Sequence, residues 1–420
     1  MPRTGRKRVY YGMPTLSERL KALGVQVGTK DLPPPRHGTI YPVEDIASGR
    51  FIDTSNGRTY LMEQLYPFDY LQGQVGLRIS TALDTIAEWA GAPEITKQPA
   101  ESLLFLDTET SGLAGGTGTF AFLVGVARYT REGLQLAQFF MRDPLEEGAL
   151  LLALEDFIAP CQTVVSFNGK AFDVPLLNTR YILQGWKSPF KTFTHIDLLH
   201  LSRRLWRDRL PSRTLSNLEV QILGANRTDE EIPGWMIPQL YFDYLRDGDA
   251  RPLKRVFYHN AMDVVSLAAL LNHTASLLEA PFAQPTIEYI DLTAIARLFD
   301  DLGHIRRAAE LYEACIKAPL PEDIYHDTLL RLSFLHKRND NYAAAVPLWE
   351  QAASQRRIYA YEELAKYYEH HAQDLPAALH WTLDALEYLG EAELPSSEIA
   401  MWQSEFQHRL ERLQRKSSSK

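Results

Sequence analysis

The hydrophobic pattern of this chain changes at residue 103, and the new pattern limits the folds that the chain can adopt. Three apolar runs typical of strands follow one another there, LLFLD, FAFLVGVARY and LQLAQFFM. The chain then alternates, with helical periodicity in EEGALLLALEDFIA, a strand pattern in TVVSFNG and a second helix in FDVPLLNTRYILQG. A meander followed by strand and helix in alternation predicts a mixed α/β sheet, with an antiparallel part and a parallel part.

The length of 420 residues exceeds what one hydrophobic core usually supports, so we expect several folded units. We predict a partly ordered N-terminal extension with a short β-hairpin and a helix over 1–98, and the sheet domain over 99–282. Helical repeats over 287–395 and a helical tail with a frayed end over 396–420 complete the chain.

Composition limits the classes of protein to which the chain can belong. Hydrophobic residues make up 45% and charged residues 23%, as in an ordinary soluble globular protein, and the net charge of −9 argues against a basic nucleic-acid coat. A local basic groove remains compatible with that charge. The two cysteines, Cys161 and Cys315, lie far apart and outside any CxxC pattern, which argues against a disulfide framework or a structural zinc site. We expect a cytoplasmic protein with no membrane association.

Alanine and an aromatic residue recur at helical spacing after residue 287. In AAELYEACI, AAVPLWEQAA and PAALHWTLDAL an alanine precedes an aromatic residue by four positions. These alanines, Ala308, Ala345 and Ala377, are 37 and 32 residues apart. A small residue lets paired helices approach closely, and a period of about 34 residues predicts tetratricopeptide-like hairpins. The alternative is a helical bundle without regular repeats.

Two acids, Asp107 and Glu109, end the first strand of the sheet domain. Side chains two positions apart in a strand point to the same face, so both carboxylates are directed one way and Thr108 the other. Their mutual repulsion is tolerable if a cation lies between them, and hard oxygen ligands suit magnesium or manganese. The alternative is a solvated strand end.

The glycine-rich stretch SGLAGGTGT follows these acids and contains GxG at Gly116 and Gly118. A dinucleotide-binding fingerprint requires a helix directly after the glycines. The next segment, FAFLVGVARY, has a strand pattern instead. We therefore predict a β-turn loop in which the absent side chains let a substrate backbone approach the carboxylates.

Two more acids, Asp173 and Asp263, are candidates for the same site. Asp173 opens a helix in SFNGKAFDVPLL, after a strand that ends near Asn168, and Asp263 lies inside the amphipathic helix of YHNAMDVVSLAALL. Taken singly, Asp173 could be a helix cap and Asp263 a solvated helix residue.

Together these motifs resemble, in order, those of the DnaQ-like (DEDD) 3′–5′ exonucleases. DTETSGLAGGTGT, SFNGKAFDVPLL, HIDLLHLSRRLW, LSNLEVQILG and HNAMDVVSL are most similar to the YprB-like branch of this ribonuclease H-like superfamily. The resemblance implies a five-stranded sheet in the order 3-2-1-4-5, flanked by helices. It also implies two divalent ions, Mg²⁺ or Mn²⁺, held by four catalytic ligands, Asp107, Glu109, Asp173 and Asp263.

Two metal ions about 4 Å apart can activate water and neutralise the phosphoryl and leaving oxygens. By the resemblance, Asp107 is the candidate to bridge both ions, with Glu109 and Asp263 on the ion that activates water. Asp173 would act through ordered water, and Asn168 would orient either the substrate or Asp173.

The position of the general base departs from the pattern of the related enzymes. In the related enzymes a histidine lies five positions before the last acid, or a tyrosine four before it. This chain has Tyr258 at five and His259 at four. We favour His259 as the catalytic base, because it shares a helix face with Asp263 and its ordinary pKa suits proton removal. Tyr258 remains the alternative base and a candidate substrate contact, and a hydrogen-bonded core histidine remains an alternative for His259.

Further substrate contacts are assigned around this centre. Thr108, Gly112 and Asn168 are candidates beside the carboxylates, and Arg203 and Arg204 are candidates within a basic cluster. That cluster comprises Lys187, Lys191, Arg203, Arg204, Arg207, Arg209 and Arg213. It predicts either a phosphate track, with Trp206 or Phe190 as a stacking surface, or a solvated helix face. Asp197 is either an outer acid or the cap of the helix that follows it.

The sequence thus predicts a metal-dependent 3′–5′ exonuclease acting on single-stranded ends of DNA or RNA, with the helical repeats binding a protein partner or guiding substrate. Two alternatives remain open. One is a non-catalytic adaptor that binds a protein through its repeats. The other is a structure-specific endonuclease that uses the same chemistry.

Overall fold

The computed structural model describes residues 41–112, 118–228, 231–283 and 287–418. The central residues of the predicted glycine-rich turn, 113–117, lie outside the described ranges.

The sheet domain is built on seven strands. They are β1 (Arg50–Thr54), β2 (Gly57–Pro67), β5 (Leu103–Thr110), β6 (Ala121–Tyr129), β7 (Gly133–Phe140), β8 (Thr163–Ser166) and β9 (Thr194–Asp197), in the spatial order β1-β2-β7-β6-β5-β8-β9. The strands from β1 to β5 in that order pair antiparallel, while β5, β8 and β9 pair parallel. The five strands from β5 onward therefore have the predicted order 3-2-1-4-5, and the mixed sheet is confirmed.

The two additional strands come from the N-terminal segment. β1 and β2 form a hairpin in which Thr54 pairs with Gly57, and β2 then pairs with β7 along its length. Gly57 has a φ of 101°, which a glycine adopts without strain. The hairpin covers the edge strand that a five-stranded sheet would leave exposed.

Helices pack on both faces of the sheet. They are α1 (Val43–Ile46), α2 (Asp84–Ala90), α3 (Glu147–Ile158), α4 (Asp173–Leu183), α5 (Leu198–Trp206), α6 (Leu215–Leu218), α7 (Ile237–Asp247) and α8 (Leu253–Glu279). Side chains alternate along β5, so Phe105 joins the apolar core formed with α8, while Leu104 and Leu106 join the core formed with α3. α8 is long and apolar enough to cross a membrane, but most of it is buried in this core.

A second N-terminal hairpin, β3 (Leu71–Gln72) and β4 (Val75–Gly76), packs against α8 and a π-helical turn at Glu219–Leu223 that continues α6. The backbone of Gln74 donates to the carbonyl of Leu223 at 2.8 Å. Gln72 is buried, and its Nε2 donates to Ser266 Oγ at 2.9 Å. The N-terminal segment thus contributes polar contacts to the interior of the sheet domain.

The C-terminal region is entirely helical and consistent with helical repeats. Its helices are α9 (Tyr289–Asp301), α10 (Ile305–Cys315), α11 (Glu322–Arg338), α12 (Tyr342–Ser354), α13 (Ile358–His370), α14 (Leu375–Glu391) and α15 (Ser396–Ser418), and each packs on the next.

The alanine pattern matches burial in two of the three units of this region. Ala308 and Ala345 are fully buried, as are the aromatic residues four positions later. In the third unit the buried pair is Ala378 and Thr382, one position beyond Ala377. Trp381 therefore lies at the edge of the core, where it contacts Tyr361 edge-on. The buried alanines Ala345 and Ala378 are therefore 33 residues apart, against 37 between Ala308 and Ala345.

Candidate active site

The DxE motif lies at the end of β5. β5 pairs regularly with β6 until its register shifts between Glu109 and Thr110, so the strand becomes irregular directly after the second carboxylate. The side chain of Glu109 is 12% exposed, which leaves it reachable from solvent. The predicted common face of Asp107 and Glu109 is the face that α8 covers.

Asp173 approaches from the neighbouring strand. The loop after β8 turns at Asn168, whose φ is 65°, and α4 then begins at Asp173. A Cβ at Gly169 would lie 2.5 Å from Ser166 Oγ and 3.0 Å from Asp173 Oδ2, so only glycine fits this turn. The Thr108 hydroxyl donates to Asp173 Oδ1. The first turn of a helix also stabilises a carboxylate through the helix dipole.

α8 supplies the last acid and the histidine. His259 and Asp263 lie one turn apart on the helix face directed at the DxE motif. His259 Nε2 is 3.8 Å from Glu109 Oε1 and 3.6 Å from Asp263 Oδ2. The Tyr258 hydroxyl instead accepts a hydrogen bond from the backbone of Thr228 at 3.2 Å. Of the two candidate bases, the structure therefore brings His259 to the acids.

The four acids influence one another electrostatically. Burial, and then the charges of Asp263, Glu109 and Asp173, raise the pKa of Asp107 well above its usual range. Burial is also the main cause that raises the pKa of Glu109 to about 8 and that of Asp173 to about 6. Carboxylates from three separate elements thus converge, and ionising all of them without a cation is unfavourable.

Three of the four acids each accept a hydrogen bond from a protein side chain on one carboxylate oxygen. Asn260 binds Asp107 Oδ2 at 2.8 Å, Thr108 binds Asp173 Oδ1, and Arg227 binds Asp263 Oδ1. Within the described ranges, no three acidic, histidine or cysteine side chains already surround an ion position. The donor set nevertheless fits a hard divalent cation, because it offers carboxylate oxygens whose repulsion such an ion would relieve.

Asn260 was not predicted from the sequence. It is fully buried, and Gly125 makes room for it, since a Cβ there would lie 2.1 Å from Asn260 Oδ1. Asp107, Gly125 and Gln138 are register partners across β5, β6 and β7. Gln138 Nε2 donates to Asn260 Oδ1 at 2.9 Å, which turns the Nδ2 group toward Asp107. A glycine in the middle of an apolar strand was the available sequence signal.

Arg227, Glu219 and Glu231 were also missed. Arg227 Nε and Nη2 donate to the two oxygens of Glu219 at 2.7 and 2.8 Å, and Nη1 donates to Glu231 Oε1 at 2.9 Å. Glu219 lies in LSNLEVQILG, but its spacing to the other residues gave no hint of this pairing. The buried arginine places one fixed cation beside Asp263.

Glu231 is also the partner of the histidine. His259 Nδ1 lies 2.5 Å from Glu231 Oε1. Burial disfavours the imidazolium, but this hydrogen bond and the charges of Asp263 and Glu109 outweigh burial and raise the pKa of His259 to about 9. With Nδ1 directed to Glu231, Nε2 is the ring nitrogen that faces the acids.

Comparisons with known proteins agree with this geometry. A model of the RNase_H superfamily matches residues 104–275, the segment that runs from β5 through most of α8. The chain is 34% identical over 328 residues to Uncharacterized protein YprB of Bacillus subtilis (strain 168), and the match covers 76% of each protein. The chain belongs to the YprB-like branch of the ribonuclease H superfamily. Membership of this superfamily indicates a nuclease with a nucleic-acid substrate, and its nucleases generally use divalent metal ions.

The structure gives two members of the basic cluster, Arg204 and Arg209, a different use from the predicted phosphate track. Arg209 binds both oxygens of Asp291 at 2.9 Å, and Arg204 pairs with Asp301, both acids being on α9. Asp208 pairs in turn with Arg297. These cations join the YprB-like sheet domain to the helical region, because α9 presents acids opposite them. Arg203 is exposed on α5.

The prediction that Trp206 or Phe190 forms a stacking surface for bases is wrong. Trp206 is 1% exposed and Phe190 is 4% exposed, so neither ring can receive a base from solvent. Trp206 packs in the core beneath α8, while Phe190 packs against Tyr181. A stacking role requires an exposed ring, and the sequence does not show which face of each segment packs inward.

The other predicted contacts surround the acids in different ways. Thr108 is buried against Asp173, and its position supports that acid rather than facing solvent. Asn168 is exposed at the turn before Asp173. The carbonyl of Gly112 accepts from the Thr110 hydroxyl at 2.9 Å, at the start of the glycine-rich loop.

Asp197 acts as a helix cap and also holds the loop before Asp173. Its Oδ1 accepts from the backbone of Leu199 at 3.1 Å, the first turn of α5. The same carboxylate accepts from the backbones of Asn168 at 2.8 Å and Lys170 at 3.1 Å. Asp197 is therefore the predicted helix cap, and it also fixes the turn that carries Asp173.

Proposed function

We propose that this protein is a metal-dependent 3′–5′ exonuclease that hydrolyses phosphodiester bonds at single-stranded ends of DNA or RNA by a two-metal-ion mechanism. One observation carries the proposal: Asp107, Glu109, Asp173 and Asp263 converge, with His259 Nε2 3.6 Å from Asp263 Oδ2. Acids on a strand end, a helix start and a core helix form one partly exposed centre.

Each residue has a chemical role in this proposal. Bound Mg²⁺ or Mn²⁺ would supply water activation and charge neutralisation at the phosphoryl group. Asp107 lies centrally, so it is the candidate for contact with both ions, and Glu109 and Asp263 flank His259. His259 would take the proton from the attacking water in its neutral form, which bound cations would favour by offsetting the charges of Asp263 and Glu109 that raise its pKa, while Glu231 holds the opposite ring nitrogen. Asp173, tied to Thr108, would act through ordered water.

The decisive experiment uses 5′-labelled single-stranded DNA and RNA with Mn²⁺ or Mg²⁺. Asp107→Ala should abolish release of nucleotides, because it removes the central ligand. Asp53→Asn, which changes an exposed acid on β1, should keep wild-type activity. Unchanged cleavage by Asp107→Ala, or no cleavage of any substrate by the wild-type protein, would overturn the proposal.

Product lengths separate exonuclease from endonuclease action. A 3′–5′ exonuclease shortens a 5′-labelled strand from its far end, so a blocked 3′ end should stop it. Internal fragments from the blocked substrate would instead indicate the endonuclease. Calorimetric titration with Mn²⁺ tests the adaptor alternative, since an inert scaffold has no need to bind the ion.

A further inference from the structure

Arg227 contacts both a proposed metal ligand and the partner of the proposed base. We propose that Arg227 is a positioning residue: it fixes Asp263 directly and His259 through Glu231. The inference rests on the proposed function for the roles of Asp263 and His259. It adds a residue that lies outside every predicted motif.

Arg227 is itself held rigidly. Its side chain is 9% exposed and that of Glu219 is 1% exposed, and the two groups form a bidentate pair. Ser266 donates a further hydrogen bond to Glu219, and Gln72 from the N-terminal hairpin donates to Ser266. A planar guanidinium held along its Nε–Nη2 edge has a fixed plane, so its remaining N–H groups point in set directions.

The second N–H group of Nη2 determines how Asp263 is oriented. Nη2 of Arg227 binds Asp263 Oδ1, which leaves Oδ2 on the side of His259 Nε2. An unbound aspartate rotates broadly about its terminal torsion. With one oxygen tied to a fixed cation, the other is held toward the acids of β5.

The remaining nitrogen of Arg227 acts on the histidine. Nη1 donates to Glu231 Oε1 at 2.9 Å, and the same oxygen is 2.5 Å from His259 Nδ1. Arg227 therefore fixes the carboxylate that fixes the ring. One guanidinium connects the metal ligand and the base, so their relative position depends on it.

Replacing Arg227 by lysine separates the effect of the guanidinium geometry from the effect of its charge. Arg227→Lys keeps the cation but offers a single ammonium, which cannot bind Glu219, Asp263 and Glu231 at once. Arg209→Lys is the matched control, because it makes the same change at an arginine whose partner is Asp291 on α9 rather than an acid of the candidate site.

The test is calorimetric titration of the full-length protein with Mn²⁺, without nucleic acid. We expect Arg227→Lys to bind Mn²⁺ about 10- to 100-fold more weakly than wild type, the effect typical of losing a residue that orients a metal ligand. Arg209→Lys should bind Mn²⁺ as wild type. Equal affinity in Arg227→Lys and wild type would overturn the inference, as would an equal loss in both variants.

A second variant keeps the inference testable if Arg227→Lys fails to fold. Glu231→Ala leaves the Arg227–Glu219 pair intact, and the Glu231 side chain is 30% exposed, so the fold should tolerate the change. We expect kcat to fall about 10-fold or more with KM and Mn²⁺ affinity unchanged. An unchanged kcat would contradict the role of Glu231. Mn²⁺ binding without nuclease activity in the wild type would contradict the proposed function alone.

Discussion

Asn260 Nδ2 donates a hydrogen bond to Asp107 Oδ2 at 2.8 Å, and this bond ties the core helix α8 to the strand that carries the DxE motif. Gln138 fixes the direction of the Asn260 amide, and Gly125 provides the space for it. One Asp107 oxygen is thereby satisfied inside the protein, so the carboxylate has a defined orientation before any ion binds.

Asn260→Ala should weaken Mn²⁺ binding about 10- to 100-fold, because Asp107 loses the donor that orients it. Calorimetric titration measures the change. Asn272→Ala is the matched control on the same helix: Asn272 is also buried, but it donates to the carbonyl of Gly76 at 2.8 Å and does not contact the acids. The control should lose stability without losing Mn²⁺ affinity. Equal affinities in both variants would contradict the role of Asn260.

Gly125→Ala should displace Asn260, since the new Cβ would lie 2.1 Å from Asn260 Oδ1. We expect the free energy of unfolding to fall by about 1–3 kcal/mol through overpacking. Denaturant unfolding measures this loss. In Gly125→Ala/Asn260→Ala the clash is absent, so the two effects should be less than additive. Gly390→Ala, where a Cβ meets nothing within 4 Å, should not destabilise the protein. Full additivity would exclude the predicted contact.

His259→Gln should reduce kcat about 10²- to 10⁴-fold, because the proposed base is removed. Tyr258→Phe should retain nearly wild-type kcat, since the Tyr258 hydroxyl contacts the backbone of Thr228 and not the acids. Single-turnover cleavage of a labelled oligonucleotide compares the two variants. A large loss in Tyr258→Phe with little loss in His259→Gln would reverse the assignment.

Glu109→Gln should flatten the pH dependence of stability in the metal-free protein. The pKa of Glu109 rises from 4.5 to about 8 on folding, so the folded state holds its proton more tightly than the unfolded state. The resulting stability is complete below pH 4.5 and is lost as the pH rises through 8. Glutamine cannot ionise and avoids this loss. Urea unfolding in EDTA across that range gives the comparison, and parallel curves for both proteins would refute the expected effect.

The mixed sheet and the common face of Asp107 and Glu109 could be predicted from local sequence patterns. Hydrophobic periodicity is a local property, and a strand directs residues two apart to one face regardless of what packs there. The resemblance carried by the motifs around Asp173 and Asp263 added the strand order and the expectation that these acids meet. β1 and β2 were visible as a hairpin, but nothing local indicated that they would pair with β7.

The partner of each charged or polar side chain became clear only in the folded protein. Arg204 and Arg209 looked like phosphate contacts until α9 placed Asp301 and Asp291 opposite them. Arg227 and Asn260 gave little sign of a role, because their partners lie on elements far away in the sequence. Pairing depends on distances of a few ångströms between such elements, and those distances are set when the whole core packs, not by the spacing of residues along the chain.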